Sequence, residues 1–194
     1  MDDLVTRLRR GEAWAFDRAY ETFHVRIYSF LLRLSRRRDV AEDLAQEVWL
    51  KLARHAKDLR EDTHLSAWLF TVARNAFLSH RRWSVLDVSR LVIGSDDEAE
   101  GVSPDAGPDA THEARETAAR LERALGRLPL ASREVLLLVA VEGFEPAEAA
   151  EMLGLKPEAL RQRLSRARTQ LAETLSVQNR AAPNRARRTL EEKT

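Results

Sequence analysis

The segment Glu145-Pro146-Ala147-Glu148-Ala149-Ala150-Glu151-Met152-Leu153-Gly154-Leu155-Lys156-Pro157-Glu158-Ala159-Leu160-Arg161-Gln162-Arg163-Leu164 has the layout of a helix-turn-helix. Pro146 suits the first position of a short helix ending at Gly154, and Pro157 opens a longer one through about Leu175. Ala150 stands four residues before Gly154, with Leu160 six and Leu164 ten residues after it. Two helices that cross steeply need a small side chain where they touch, a glycine where the turn takes a positive φ, and apolar residues to lock them together. Leu160, Leu164, Ala167, Leu171 and Leu175 form the inner face of the second helix, so Lys156, Arg161, Gln162, Ser165, Arg166 and Arg168 face outward. Glu158 is the only acid there before Glu173. Such a set suits a DNA major groove: arginine bonds a guanine edge bidentately, glutamine an adenine edge, and the other cations hold phosphates. A helical hairpin with a solvated basic face is the alternative.

Upstream of this segment, Leu121, Leu125 and Leu128 continue a helix that Pro129 closes, because a residue before proline is pushed out of the helical well. The run Val135 to Val141 reads as helix, since its neighbours are helical and no partner strand exists, and Gly143 ends it. In the first half Phe16, Tyr20, Phe23, Ile27, Leu31 and Leu34 recur at helical spacing as one buried stripe. A second helix begins at Asp39 as cap, with Leu44, Val48 and Leu52 inward. A third runs from about His64 to Arg82, capped by Thr63.

The 194 residues are 44% hydrophobic and 32% charged, enough for one large or two small domains and too apolar for wholesale disorder. Without cysteine there is no disulfide framework, thiolate metal site or cysteine nucleophile. The five histidines show no metal-site pattern and no glycine-rich phosphate loop is present, so no cofactor is expected. The longest apolar run falls far short of the roughly 20 residues that cross a bilayer, and the acidic start is unlike a signal peptide. A cytoplasmic location without membrane insertion is the expectation.

The net charge of +1 hides a strong segregation. Residues 1–83 carry 16 basic and 12 acidic groups, 84–117 carry 2 and 9, 118–176 carry 9 and 8, and 177–194 carry 5 and 2. The acidic block coincides with a cluster of Gly, Pro, Ser, Asp and Glu that cannot bury enough apolar area to order itself, so it reads as a linker. Residues 177–194 lack periodicity and read as a disordered basic tail.

Two stretches of the first half, Ala41-Glu42-Asp43-Leu44-Ala45-Gln46-Glu47-Val48-Trp49-Leu50 and Ser66-Ala67-Trp68-Leu69-Phe70-Thr71-Val72-Ala73-Arg74-Asn75, resemble region two of bacterial sigma factors of the extracytoplasmic-function group. The helix-turn-helix, with Leu164-Ser165-Arg166-Ala167-Arg168, resembles their region four. The resemblance covers roughly residues 10–176, and two separate motifs in the right order are far more specific than either alone. It implies an all-α chain of two small helical domains: a region-two bundle over 1–84 and a region-four domain over 118–176, joined by an acidic flexible linker over 85–117.

The resemblance also implies roles. Asp43, Gln46 and Glu47 match the polar face that docks on a coiled coil of the core RNA polymerase clamp, and carboxylates facing outward from Leu44 and Val48 suit arginines on a partner helix. Arg74, Asn75, Arg81 and Arg82 match the helix that recognises and melts the minus-ten element. Melting needs only a surface that binds the single strand better than the duplex. Lys156, Arg161, Gln162, Ser165, Arg166 and Arg168 would read the minus-thirty-five element as duplex. An anti-sigma factor is the expected regulator, with the apolar inner faces of both domains as docking surfaces. The linker would imitate nucleic acid, and the free chain would bind duplex promoter weakly.

Three departures from the family pattern, Ser79 for aspartate, Lys156 for a capping serine or threonine, and Glu158-Ala159-Leu160 for glycine-threonine-valine, leave the promoter sequence open. Two rival functions remain at this point: a DNA-binding regulator acting as a dimer, and a helical adaptor or antagonist of sigma-like partners that never touches DNA.

Overall fold

The computed structural model describes the backbone of residues 2–86 and 111–191, and side chains over 4–84 and 111–178. Among them there is no strand; the elements are α1 (Asp2–Arg9), α2 (Ala13–Ser35), α3 (Arg38–His55), a 3-10 turn (Ala56–Asp58), α4 (Leu65–Leu86), α5 (His112–Gly126), α6 (Leu130–Leu136), a π turn (Leu137–Val141), α7 (Pro146–Leu153) and α8 (Pro157–Glu191).

The first half is a bundle of α2, α3 and α4 with α1 laid across one end. Phe23, Ile27, Leu31 and Leu34 of the expected stripe are buried, with Phe30 beside them, against Val40, Leu44, Val48 and Leu52 of α3 and Leu69, Phe70 and Ala73 of α4, whereas Phe16 is half-buried and Tyr20 is exposed at the end of the stripe, where it packs on Trp49. α1 is too short for periodicity to mark, yet Val5 and Leu8 are buried in it. α2 ends on Arg36 at φ 59, whose amide donates to the Leu32 carbonyl at 2.8 Å. This is a left-handed cap of the kind glycine makes freely, and a side chain there costs roughly 1–2 kcal/mol. α3 starts one residue before the expected cap: Arg37 occupies the N-cap without a side-chain cap bond, and Asp39 lies inside the first turn, where its charge faces the helix dipole. The Arg37 guanidinium bonds the Asp39 carboxylate and holds its pKa below the ordinary value.

In the second half Pro146 opens α7, and Gly154 at φ 64 closes it. The Leu155 amide reaches the Ala150 carbonyl at 2.8 Å, a glycine-dependent helix stop. Ala149 and Ala150 are buried where α7 meets α8, and Leu160, Leu164 and Ala167 lock α8 onto it. The helix-turn-helix stands as its spacing requires. The apolar run ends in a π turn, with the Glu142 amide bonded to the Leu137 carbonyl at 2.9 Å. This wider turn accompanies the burial of both Leu137 and Leu138.

Two boundaries differ from the sequence expectation. α5 begins at His112, inside the span 85–117 read as linker, because Thr111 caps it by accepting from the Ala114 amide at 3.2 Å. The remainder of that linker, 87–110, lies outside the described residues. α8 continues to Glu191 instead of stopping near Leu175, so 177–191 is helical rather than a disordered tail. Its Gln, Ala and Arg residues are good helix formers even without an apolar stripe.

The two halves do not stand apart. Rings of Phe30, Phe70 and Phe144 meet edge to face at 5.2 Å centroid spacing, which carries one apolar core across the boundary. The inner faces expected to receive an anti-sigma factor are therefore already filled.

Candidate nucleic-acid interface and the contact that covers it

Lys156, just before α8, and Arg161, Gln162, Ser165, Arg166 and Arg168 of α8 are exposed to solvent, whereas Leu160, Leu164 and Ala167 are buried. The Arg161 guanidinium donates to the Glu158 carboxylate at 2.9 Å, and Arg166 to the Gln162 side chain at 3.5 Å. Both bonds are exposed and cheap to exchange for a DNA partner. Ser132 donates to Gln170 at 2.8 Å and ties α6 to α8 behind this face.

α4 is different. Its four candidate residues fall on two faces. Asn75 and Arg82 are exposed and one stripe apart, with Ser79 between them. Arg74 and Arg81, seven residues apart, lie on the other side of the helix. The Arg74 guanidinium donates to the Glu134 carboxylate of α6 at 2.9 Å, and that carboxylate is only 5% exposed. Arg81 lies within electrostatic reach of Arg133. The structure thus keeps Asn75, Arg81 and Arg82 exposed and holds Arg74 against the second half.

This pair is one of three arginine–glutamate pairs of the same sense among the described residues, and His64 Nδ1 stands 3.6 Å from the Glu148 carboxylate in the same sense. Arg26 of α2 donates to Glu142 at 3.0 Å, and Arg33 of α2 donates to Glu122 of α5 at 2.8 Å. Every arginine comes from the first half and every carboxylate from the second. Burial pushes the Glu142 carboxyl up, against the pull of Arg26.

Beside Glu134, the buried Arg133 guanidinium donates to the carbonyls of Leu125, Gly126 and Leu128, where α5 ends, and of Arg33 and Leu34, where α2 ends. One side chain therefore satisfies orphan carbonyls of two helices from different halves. Desolvation first, then the charges of Arg36 and Arg81, push its pKa down to about 10, so it stays charged at neutral pH. Gly126 leaves room for a neighbouring side chain, Arg36: a Cβ there would stand 3.2 Å from Arg36 Nε. Sequence reading missed Arg133, Glu134, Glu122 and Glu142, because in the sequence they look like any solvated helix charge.

On α3, Asp43 and Gln46 are exposed, and Glu47 is half-buried with Lys51 Nζ at 2.7 Å. Leu50, 54% exposed, continues the same stripe. Trp49 instead turns inward against Phe16 and Tyr20. Among the described residues no cluster of potential ligands could hold a metal ion, and no helix is long and apolar enough to cross a membrane.

Comparison with known families assigns residues 19–83 to sigma-70 region 2 and residues 118–171 to sigma-70 region 4. The chain is 32% identical over 169 residues to the ECF RNA polymerase sigma factor SigM of Mycobacterium tuberculosis, covering 87% of this chain and 81% of that one. This chain belongs to the extracytoplasmic-function sigma factors of the sigma-70 family. The sigma factor EcfG of Rhodopseudomonas palustris is 34% identical over 152 residues, covering 77% of this chain and 78% of that protein. Among solved structures, the sigma factor RpoE of Bartonella quintana, determined with its anti-sigma factor NepR, superposes with a TM-score of 0.69 at 27% identity, covering 84% of this chain and 97% of that one. As a sigma factor, the protein is a transcription-initiation factor that works with core RNA polymerase on promoter DNA.

Proposed function

We propose that this sigma factor docks on the polymerase clamp through Asp43, Gln46 and Glu47, opens the minus-ten element with α4, and grips the minus-thirty-five element with the outer face of α8. The observation that carries this reading is the division of labour between two exposed surfaces. One is the basic, amide-bearing face of α8 over Lys156 to Arg168. The other is the outer face of α4 with Asn75 and Arg82. In the closed arrangement Arg74 is spent on Glu134, so full engagement of the minus-ten element requires the halves to part. The interface joins three arginine–glutamate pairs to the Phe70–Phe144 contact and the Arg133 bonds at the end of α2, so parting it requires a partner that supplies contacts in return.

The region-two unit spans 1–84, the linker the residues that follow, and the region-four unit starts near the α5 cap. The protein is not an enzyme by itself; catalysis belongs to polymerase. It acts in the cytoplasm, and an anti-sigma factor of the kind that accompanies RpoE is its expected regulator. That factor would bind surfaces exposed in the closed form, or would hold the halves in another arrangement.

Run-off transcription with purified core polymerase on a promoter library tests this reading. The chain is expected to confer start-site selection, and Asp43→Arg with Glu47→Arg to weaken core binding by about a hundredfold, since opposed like charges cost several kcal/mol. Unaltered core affinity in that variant would remove the docking assignment, and absence of start-site selection would remove the whole reading.

A further inference from the structure

The outer face of α4 holds one side chain that no role above uses. Trp83 is 73% exposed, the most exposed of the large apolar side chains among the described residues. It has no hydrogen-bond, ring or cation partner among them. The other three tryptophans are all engaged within the molecule. Trp14 donates to Glu12 at 2.9 Å and lies under the Arg7 guanidinium, Trp49 packs on Phe16 and Tyr20, and Trp68 is half-buried against the core.

Its surroundings specify what it can meet. The 22 residues of α4 contain no Asp or Glu, and Trp83 follows Arg81 and Arg82. Along the helix Asn75, Ser79 and Arg82 share one exposed sector, and Trp83 stands at its edge, one turn past Ser79 and two turns past the buried Ala76. The Arg82 guanidinium donates to Ser79 Oγ at 3.2 Å and so lies along this sector. Cations without acids attract a phosphate backbone, and an indole face offers a stacking surface to any base that has left its pair. A protein partner with basic contacts would be repelled by the same charges.

We propose that Trp83 stacks on an unpaired base of the opened promoter strand and so helps trap the melted form. The inference rests on the assignment of α4 to the minus-ten element. It adds a residue that lies beyond the Arg74-Asn75 and Arg81-Arg82 pairs.

The test uses the full chain bound to core polymerase and a promoter carrying a fluorescent adenine analogue in the melted segment. Trp83→Ala is expected to lower the yield of open complex about tenfold, within the range of one base–aromatic stack, while leaving core affinity and closed-complex capture unchanged. Trp83→Phe should recover most of the yield and Trp83→Lys little of it. Opening by Trp83→Ala equal to that of the unaltered chain overturns the proposal. So does full activity of Trp83→Lys, which would mean a backbone contact, or a parallel loss of core affinity in Trp83→Ala, which would mean a protein partner. If the unaltered chain itself fails to open the promoter with core polymerase, the assignment of α4 falls and this proposal with it.

Discussion

Transcription from a promoter with an intact minus-thirty-five element is expected to fall about a thousandfold in the Arg161→Glu, Arg166→Glu double variant. Each lost contact to a base edge or phosphate is worth about 1–3 kcal/mol, and reversing the charge adds repulsion from the backbone. A total near 4 kcal/mol is a factor of about a thousand. The fold should be untouched, because both side chains are exposed and their bonds to Glu158 and Gln162 lie on the surface. Core binding should also be unchanged, since the proposed docking stripe is on α3. In vitro transcription read beside core affinity separates these outcomes. If the loss is less than about tenfold, α8 does not grip the duplex through this face. The same variant distinguishes the sigma reading from a helical adaptor, whose activity would survive it.

The second large effect is on stability. Arg133→Met is expected to lower the midpoint of thermal unfolding by about 10 °C. Five carbonyls at the ends of α2 and α5 lose their donor, each worth about 1 kcal/mol. Relief from burying a cation, the cause of its lowered pKa, offsets part of this and leaves about 3 kcal/mol. For a protein of this size 1 kcal/mol corresponds to roughly 2–4 °C. Arg133→Lys should recover less than half, because a point-like ammonium with three donors cannot span two helix ends as a planar fork does. Scanning calorimetry of the two variants decides the matter. An unchanged midpoint in Arg133→Met would mean that water replaces the guanidinium at no cost.

Arg133 also shows what a sequence can and cannot disclose. The helix-turn-helix was legible because its requirements are local: Gly154 at the turn, Ala150 at the crossing, Leu160 and Leu164 at fixed offsets. The buried stripe of α2 was legible for the same reason, and so was the outward face of α8, which is the complement of its apolar stripe. The contact between the halves was not. Arg74 and Glu134 are 60 residues apart, Arg26 and Glu142 are 116 apart, and neither pair has any periodic signature. An arginine that bridges two helix ends is written in the sequence like one that faces water. For that reason the four residues of α4 read as a single DNA-contacting set, whereas the fold places Arg74 against Glu134 and leaves Asn75, Arg81 and Arg82 outside. The π turn after Leu136 was equally hidden, because it breaks no rule of composition, and the extension of α8 past Leu175 ran against one, since the Pro183 inside it ordinarily ends a helix.

Promoter opening as proposed starts from a closed free form in which Glu134 holds Arg74, and polymerase parts the halves. Because the chain has no cysteine, Thr22→Cys on α2 and Ala172→Cys on α8 can be labelled without background for a distance measurement between the exposed surfaces of the two halves. A single short distance in the free protein, replaced by a long one when active core polymerase is added, is the predicted result. A distance that stays short in a transcribing complex, or is already long in the free chain, would contradict it.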